Sequence, residues 1–172
     1  TRFRKYLDEV FVPMAEYMVS KGLYVVMRPP GVSPERIAVG DDYQAFLLKV
    51  WDIVSKHKKL RNNGRIMFEL ANEPINIKGP DGSYASSGDG HFQKLTEYFQ
   101  AIVDKIRGND CRNIIWVPGL GYQSQYALPK FDYAGDEPLT APREMTVWGQ
   151  ESEVVQIAWQ AGGKNRDRKS TR

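Results

Sequence analysis

The sequence holds one cysteine, Cys111, and two histidines, His57 and His91. A single cysteine excludes an internal disulfide. Cys111 follows a helix-like stretch and precedes a strand-like one, so it reads as a buried structural thiol. The histidines lie far apart, and neither has a histidine, cysteine or carboxylate at ligand spacing, which argues against a metal site. Long hydrophobic runs are also missing. The longest, such as Leu23 to Met27, fall far short of the ~20 residues that cross a bilayer, so no membrane partner is expected. No charged-then-apolar leader opens the chain. No G-x-G-x-x-G follows a strand-like run and there is no phosphate-loop lysine, which disfavours a nucleotide site. No cofactor is expected.

Net charge is small as well. The total is +3, but residues 164–172 hold five Lys/Arg and one Asp and so contribute +4, which leaves −1 for everything before them. The basic character belongs to a tail that reads as solvated and disordered, and no nucleic-acid partner is expected from it. With 172 residues, 41 % of them hydrophobic and 12 % aromatic, the chain can form one domain with a real core and hardly two. It opens on Thr1, directly inside a helical pattern, which reads as a clipped start.

What is present is an alternation of two periodicities. Phe3, Leu7, Val10, Phe11, Met14 and Met18 recur at helical spacing, with Pro13 predicting two helical pieces or a late start. Leu23 to Met27 is a short apolar run that reads as a buried parallel strand, ended by Arg28-Pro29-Pro30. Asp41-Asp42 caps an amphipathic helix through Val54. The strand Ile66 to Leu70 follows. A polar stretch from Asn76 to Gly90 reads as a long loop. A third helix runs from about Phe92 to Arg107, and Ile114 to Val117 reads as a third strand. This is the βαβ alternation of a parallel sheet. Beyond Ala127 the character changes. Pro129, Pro138 and Pro142 mark an irregular linker, and Val147 to Trp159 reads as a last amphipathic helix, with Met145 to Trp148 as a candidate strand.

The chemistry concentrates in Phe68-Glu69-Leu70-Ala71-Asn72-Glu73-Pro74. This run sets an amide and a carboxylate at the C-terminal end of a strand, where parallel α/β proteins carry their sites. A carboxylate there suits glycosidic bond cleavage, which needs a general acid on the leaving oxygen. Asn72 can bond a sugar hydroxyl. Arg28, at the end of the neighbouring strand, needs an anion or a hydrogen-bond partner if buried, or else reaches solvent. Trp116 and Tyr122 offer flat faces to pyranose rings. On these residues alone, Asn72-Glu73-Pro74 fits a strand-to-loop turn as well as a catalytic pair.

Together with Leu23 to Pro30, Val50-Trp51 and Asn113 to Gln123, this run resembles glycoside hydrolase family 5, a cellulase-type family of (β/α)₈ barrels. The resemblance covers about residues 1–126. It implies an α/β fold: a partial TIM barrel with parallel strands, about strands three to five, followed by an irregular or helical C-terminal segment. It implies hydrolysis of β-1,4-glucan with Glu73 as acid/base. Asn72, Arg28, Trp116 and Tyr122 would bind the substrate, a β-glucan or cello-oligosaccharide. It also implies a secreted protein. The expected organisation is a partial barrel over 1–126, a linker and helix over 127–163, and the tail over 164–172.

The family's nucleophile motif has no counterpart here. The carboxylates left are Glu144, Glu151 and Glu153, while Glu69 lies deeper on the strand as a supporting group. A truncated remnant of such an enzyme, either carbohydrate-binding without catalysis or inactive, is the alternative reading. Because an isolated part of a barrel leaves open strand edges and a bare face, a homo-oligomer is expected.

Overall fold

The computed structural model describes residues 2–123 and, as backbone only, 144–147, 150–153 and 155–156. The N-terminal helical rod runs without a break, but its regular α-helix falls into two pieces, the second starting at Val12 beside Pro13. It consists of α1 (Arg2–Tyr6), a π-type turn (Leu7–Phe11) and α2 (Val12–Ser20). Pro13 has no N–H, and its ring would collide with the carbonyl four residues back in a regular helix. The wider turn, closed by the Val12 N–H on the Leu7 carbonyl, accommodates it. Gly22 then ends the rod in the left-handed conformation, at φ 83°.

The remaining elements are β1 (Val25–Met27), β2 (Arg36–Ile37), α3 (Asp42–Ser55), β3 (Ile66–Glu69), β4 (Asn76–Lys78), β5 (Tyr84–Ala85), α4 (Asp89–Gly108) and β6 (Ile115–Val117). They are followed by β7 (Glu144–Val147), β8 (Gln150–Glu153) and β9 (Val155–Gln156). The principal sheet has the order β1-β3-β6-β9, all parallel. Its helix-facing side carries Val25, Met27, Ile66, Phe68, Ile115 and Val117. All six join one core with Leu47, Trp51, Phe99 and Ile102. Trp51 stacks at a tilt on Phe68, with centroids 5.1 Å apart, and locks α3 onto the central strand.

The opposite side of the sheet carries Val26, Met67, Glu69 and Trp116, with Val26 beside Met67 and Glu69 beside Trp116 in register. Val26 is exposed, and Met67 and Trp116 form only a small cluster with Ile114. In a closed barrel this would be the interior. Among the described residues the sheet does not close.

Two expectations are corrected. The stretch from Asn76 to Gly90 is not a plain loop, because β4 and β5 pair antiparallel and β2 pairs parallel with β4 into a second, three-stranded sheet. Strands of two or three residues are too short to show a period. The helix read over Val147 to Trp159 is also wrong where the backbone is described. β7 and β8 pair antiparallel, and β9 adds to β6. Thr146, Val147 and Val155 are β-branched and favour that extended form. The rest of that predicted helix, the linker and the basic tail lie outside the described residues.

Candidate active site

The site grows from the end of β3, which is held from both sides. The Leu70 N–H donates to the Trp116 carbonyl at 3.0 Å, and the Leu70 carbonyl accepts from Trp51 Nε1 at 3.0 Å. The strand is therefore fixed immediately before Asn72. Asn72 is buried, with 6 % of its surface exposed. Its Oδ1 accepts from Arg28 Nη1 at 2.8 Å, its Nδ2 donates to the Gly31 carbonyl at 3.4 Å, and its own carbonyl accepts from Ser33 N–H at 3.1 Å. Arg28 thus reaches across from the end of β1 and binds an amide. Its partner is Asn72, and the residue as a whole is exposed.

The chain beyond Glu73 is held equally closely. The Gly121 N–H donates to the Ile75 carbonyl at 3.0 Å and the Tyr122 N–H to the Pro74 carbonyl at 3.1 Å, while Asn76 N–H donates to Glu35 O at 3.2 Å. The loop after β6 that makes two of these bonds is itself left-handed, with positive φ at Gly121, Tyr122 and Gln123. Gln123 Nε2 closes it onto Glu69 Oε1 at 2.8 Å. Glu69 is therefore an anchored supporting carboxylate, in agreement with its deeper position on the strand.

Glu73 sits between these fixed points at φ 52°. A left-handed residue with a Cβ costs roughly 1–2 kcal/mol, and a residue before proline is normally extended. The bonds on either side impose this conformation. The Glu73 side chain is exposed, and among the described residues it makes no hydrogen bond or ion pair. It is a carboxylate on a rigid, strained base with its oxygens free.

The five sequence-predicted residues fall into two groups. Arg28, Asn72, Glu73 and Tyr122 are connected through the bonds above. Tyr122 is 63 % exposed, with its backbone beside Pro74. Trp116 stands lower, beside Glu69 on the open face of the sheet. Side chains of Glu144, Glu151 and Glu153 lie outside the described ones.

Sequence reasoning missed Asn113, which is 1 % exposed and organises the opposite, N-terminal ends of the strands. Its Nδ2 donates to the carbonyls of Leu60, Asn63 and Ile66, and its Oδ1 accepts from the Asn62 N–H and the Cys111 thiol. Burial pushes the Cys111 thiol up from its ordinary value, as an inert structural cysteine requires. Among the described residues no group of histidine, cysteine and carboxylate side chains could hold a metal.

The comparisons with known proteins address the same region. The sequence model described as cellulase (glycosyl hydrolase family 5) matches residues 10–147. The chain belongs to glycosyl hydrolase family 5. A search of curated protein sequences found no match. Among solved structures, the family 5 lichenase of Caldicellulosiruptor sp. F32 is 16 % identical, with a TM-score of 0.56 over 81 % of this chain and 40 % of that one. A variant of a family 5 lichenase from the same organism, in complex with cellotetraose, is 17 % identical, with a TM-score of 0.54 over 78 % and 39 %. A triple variant of the endo-β-1,4-glucanase of Xanthomonas axonopodis pv. citri is 20 % identical, with a TM-score of 0.50 over 73 % and 36 %. At these identities the likeness establishes the fold. This family 5 chain spans well under half the length of each of those structures, and its parallel sheet corresponds to part of their barrel.

Proposed function

We propose that this chain acts on β-1,4-glucan of the cellulose type, with Glu73 as the general acid/base of glycosidic cleavage. The observation that carries the proposal is the conformation of Glu73. It is held left-handed ahead of Pro74 by bonds on both sides, and its carboxyl is left free. Strain of this kind persists only where surrounding structure imposes it, and it concentrates at functional sites. The family and the cellotetraose held by a lichenase relative agree with the substrate class.

In this reading Glu73 protonates the leaving oxygen. Asn72, fixed by Arg28, presents its remaining amide hydrogen toward a sugar hydroxyl. Tyr122 and Trp116 supply ring faces for the chain. The second carboxylate comes from Glu144, Glu151 or Glu153, or from another copy of the chain in a homo-oligomer. A secreted protein suits a polymeric substrate that does not enter cells. The direct test is release of reducing sugar from a soluble cellulose derivative. Glu73→Gln is expected to abolish it, and unchanged release rejects the assignment.

The exposure of Glu73 favours one second reading, a carbohydrate-binding chain without turnover. It predicts saturable binding of cello-oligosaccharides with no reducing sugar released by the unmodified protein.

A further inference from the structure

The small sheet β2-β4-β5 joins two segments that both leave the C-terminal ends of principal strands, β1 and β3, on either side of Glu73. Its inner face is given by Ile77, fully buried, and its register partner Ala85, with Ile37 beside Ile77. Side chains alternate along a strand and register partners share a face. Arg36, Asn76, Lys78 and Tyr84 therefore share the outer face, since Arg36 pairs with Asn76 and Lys78 with Tyr84. Arg36, Lys78 and Tyr84 are exposed, Tyr84 at 40 %. The Arg36 guanidinium lies over the Tyr84 ring at 5.4 Å from its centre. Neither Arg36 nor Lys78 has an ion-pair partner among the described residues. The acid nearest in the hairpin, Asp81, is engaged by the Ser83 N–H at 3.0 Å and by the Ser83 hydroxyl at 2.8 Å.

This face combines one aromatic ring, 40 % exposed with Arg36 against it, one amide and two cations without an ion-pair partner among the described residues, in a chain whose residues before the tail carry a net charge of only −1. The part of the ring that Arg36 leaves exposed can stack on the C–H face of a pyranose. A guanidinium resting against that ring, 5.4 Å from its centre, keeps N–H groups for a carboxylate, which it can bind with two parallel bonds. Neutral glucan has no group that needs two cations. We infer that the outer face of β2-β4-β5 is a subsite for a carboxylate-bearing β-glycan chain running past Glu73. Arg36 and Lys78 take the acid groups, Tyr84 takes a ring, and Asn76 takes a hydroxyl. The inference rests on Glu73 marking the place where the chain is cut, but its test does not use turnover.

Affinity electrophoresis of the full chain in native gels tests it, with carboxymethyl cellulose in one gel and neutral hydroxyethyl cellulose in another. Retardation is expected to be stronger in the acidic polymer and to weaken with added salt. Arg36→Ala and Lys78→Ala should each weaken binding to carboxymethyl cellulose about two- to fivefold, the range for an exposed charge pair, and leave hydroxyethyl cellulose binding unchanged. Tyr84→Ala should weaken both. Arg36→Lys should keep only part of the preference for the acidic polymer, because an ammonium retains the charge but not the two-bond fit to a carboxylate. Equal retardation by the two polymers overturns the inference, as does absence of retardation. So does an equal loss on removing two cations elsewhere, in Lys5→Ala with Lys58→Ala. Glu73→Gln should keep the dependence of acidic-polymer binding on Arg36 and Lys78. If it does and hydrolysis is nevertheless unaffected, the catalytic assignment fails while this subsite stands.

Discussion

Glu73 combines two properties that rarely coincide, a strained backbone and an unengaged side chain. Its left-handed φ of 52° precedes a proline, and the backbone bonds to Asn72, Pro74 and Ile75 hold it there. Glycine occupies that conformation without the Cβ penalty, although it loses more chain entropy on folding. Glu73→Gly is expected to raise the free energy of unfolding in urea by about 1 kcal/mol, while Glu73→Gln changes it little. Equal stability of the two variants would mean that the conformation carries no strain. The residues themselves were legible in the sequence, because a carboxylate and an amide ended an apolar run at a proline. Their arrangement was not. Nothing in the sequence shows that Arg28 binds the Asn72 amide, or that the loop after β6 turns left-handed to grip Pro74 and Ile75. Those contacts span tens of residues.

The helices and principal strands were legible where the pattern was long. Helix α3 has its apolar stripe and a capping Asp41, whose Oδ1 accepts from the Gln44 N–H at 2.6 Å. The other oxygen accepts from the Ala38 N–H at 2.8 Å, and Tyr98 OH reaches Oδ1 at 3.3 Å. One side chain therefore ends the β2 segment, starts α3 and meets α4. Loss of an N-cap costs about 0.5–2 kcal/mol. Asp41→Ala is expected at the upper end of that range by urea unfolding, and a cost below about 0.5 kcal/mol would show that the cap is dispensable. Short elements escaped the sequence. β2, β4 and β5 have two or three residues each and are held mainly by one another, so no local period announces them. The helical spacing of Val147, Val154 and Val155 misled for a related reason, since a few apolar residues fit either period.

At the scale of the molecule, the principal sheet is packed on one side and poorly covered on the other, where Val26 is exposed and Met67 and Trp116 are half-buried. Strand β1 also has no neighbour on its outer edge among the described residues. A face and an edge of that kind favour association, and light scattering is expected to give a mass above one chain; a folded monomer at high dilution would contradict this. Stability should also respond to alkali. Burial raises the Cys111 thiol and the phenols of Tyr43 and Tyr98 above their ordinary values. A group whose value is raised by folding contributes stability that is fully present below its unfolded value and is lost as pH climbs through its folded one. Cys111 acts first, because an unfolded thiol titrates near pH ~8.5. The urea midpoint should fall between about pH 8.5 and 10, and Cys111→Ala should remove the early part of that fall. Burial draws Arg107 down to about 10, which acts in the opposite sense and only above that pH.

All of this converges on one carboxyl. General acid catalysis contributes typically 10²–10⁴-fold and matters most when the leaving group is poor. The measurement that tests the central claim most directly compares the unmodified chain with Glu73→Gln on two substrates, a soluble cellulose derivative and an aryl β-cellobioside with an activated phenol as leaving group. The prediction is a loss of at least about 100-fold on the polymer and a much smaller one on release of the phenol. Hydrolysis of the polymer that survives Glu73→Gln, equal losses on both substrates, or no hydrolysis by the unmodified chain would contradict the assignment.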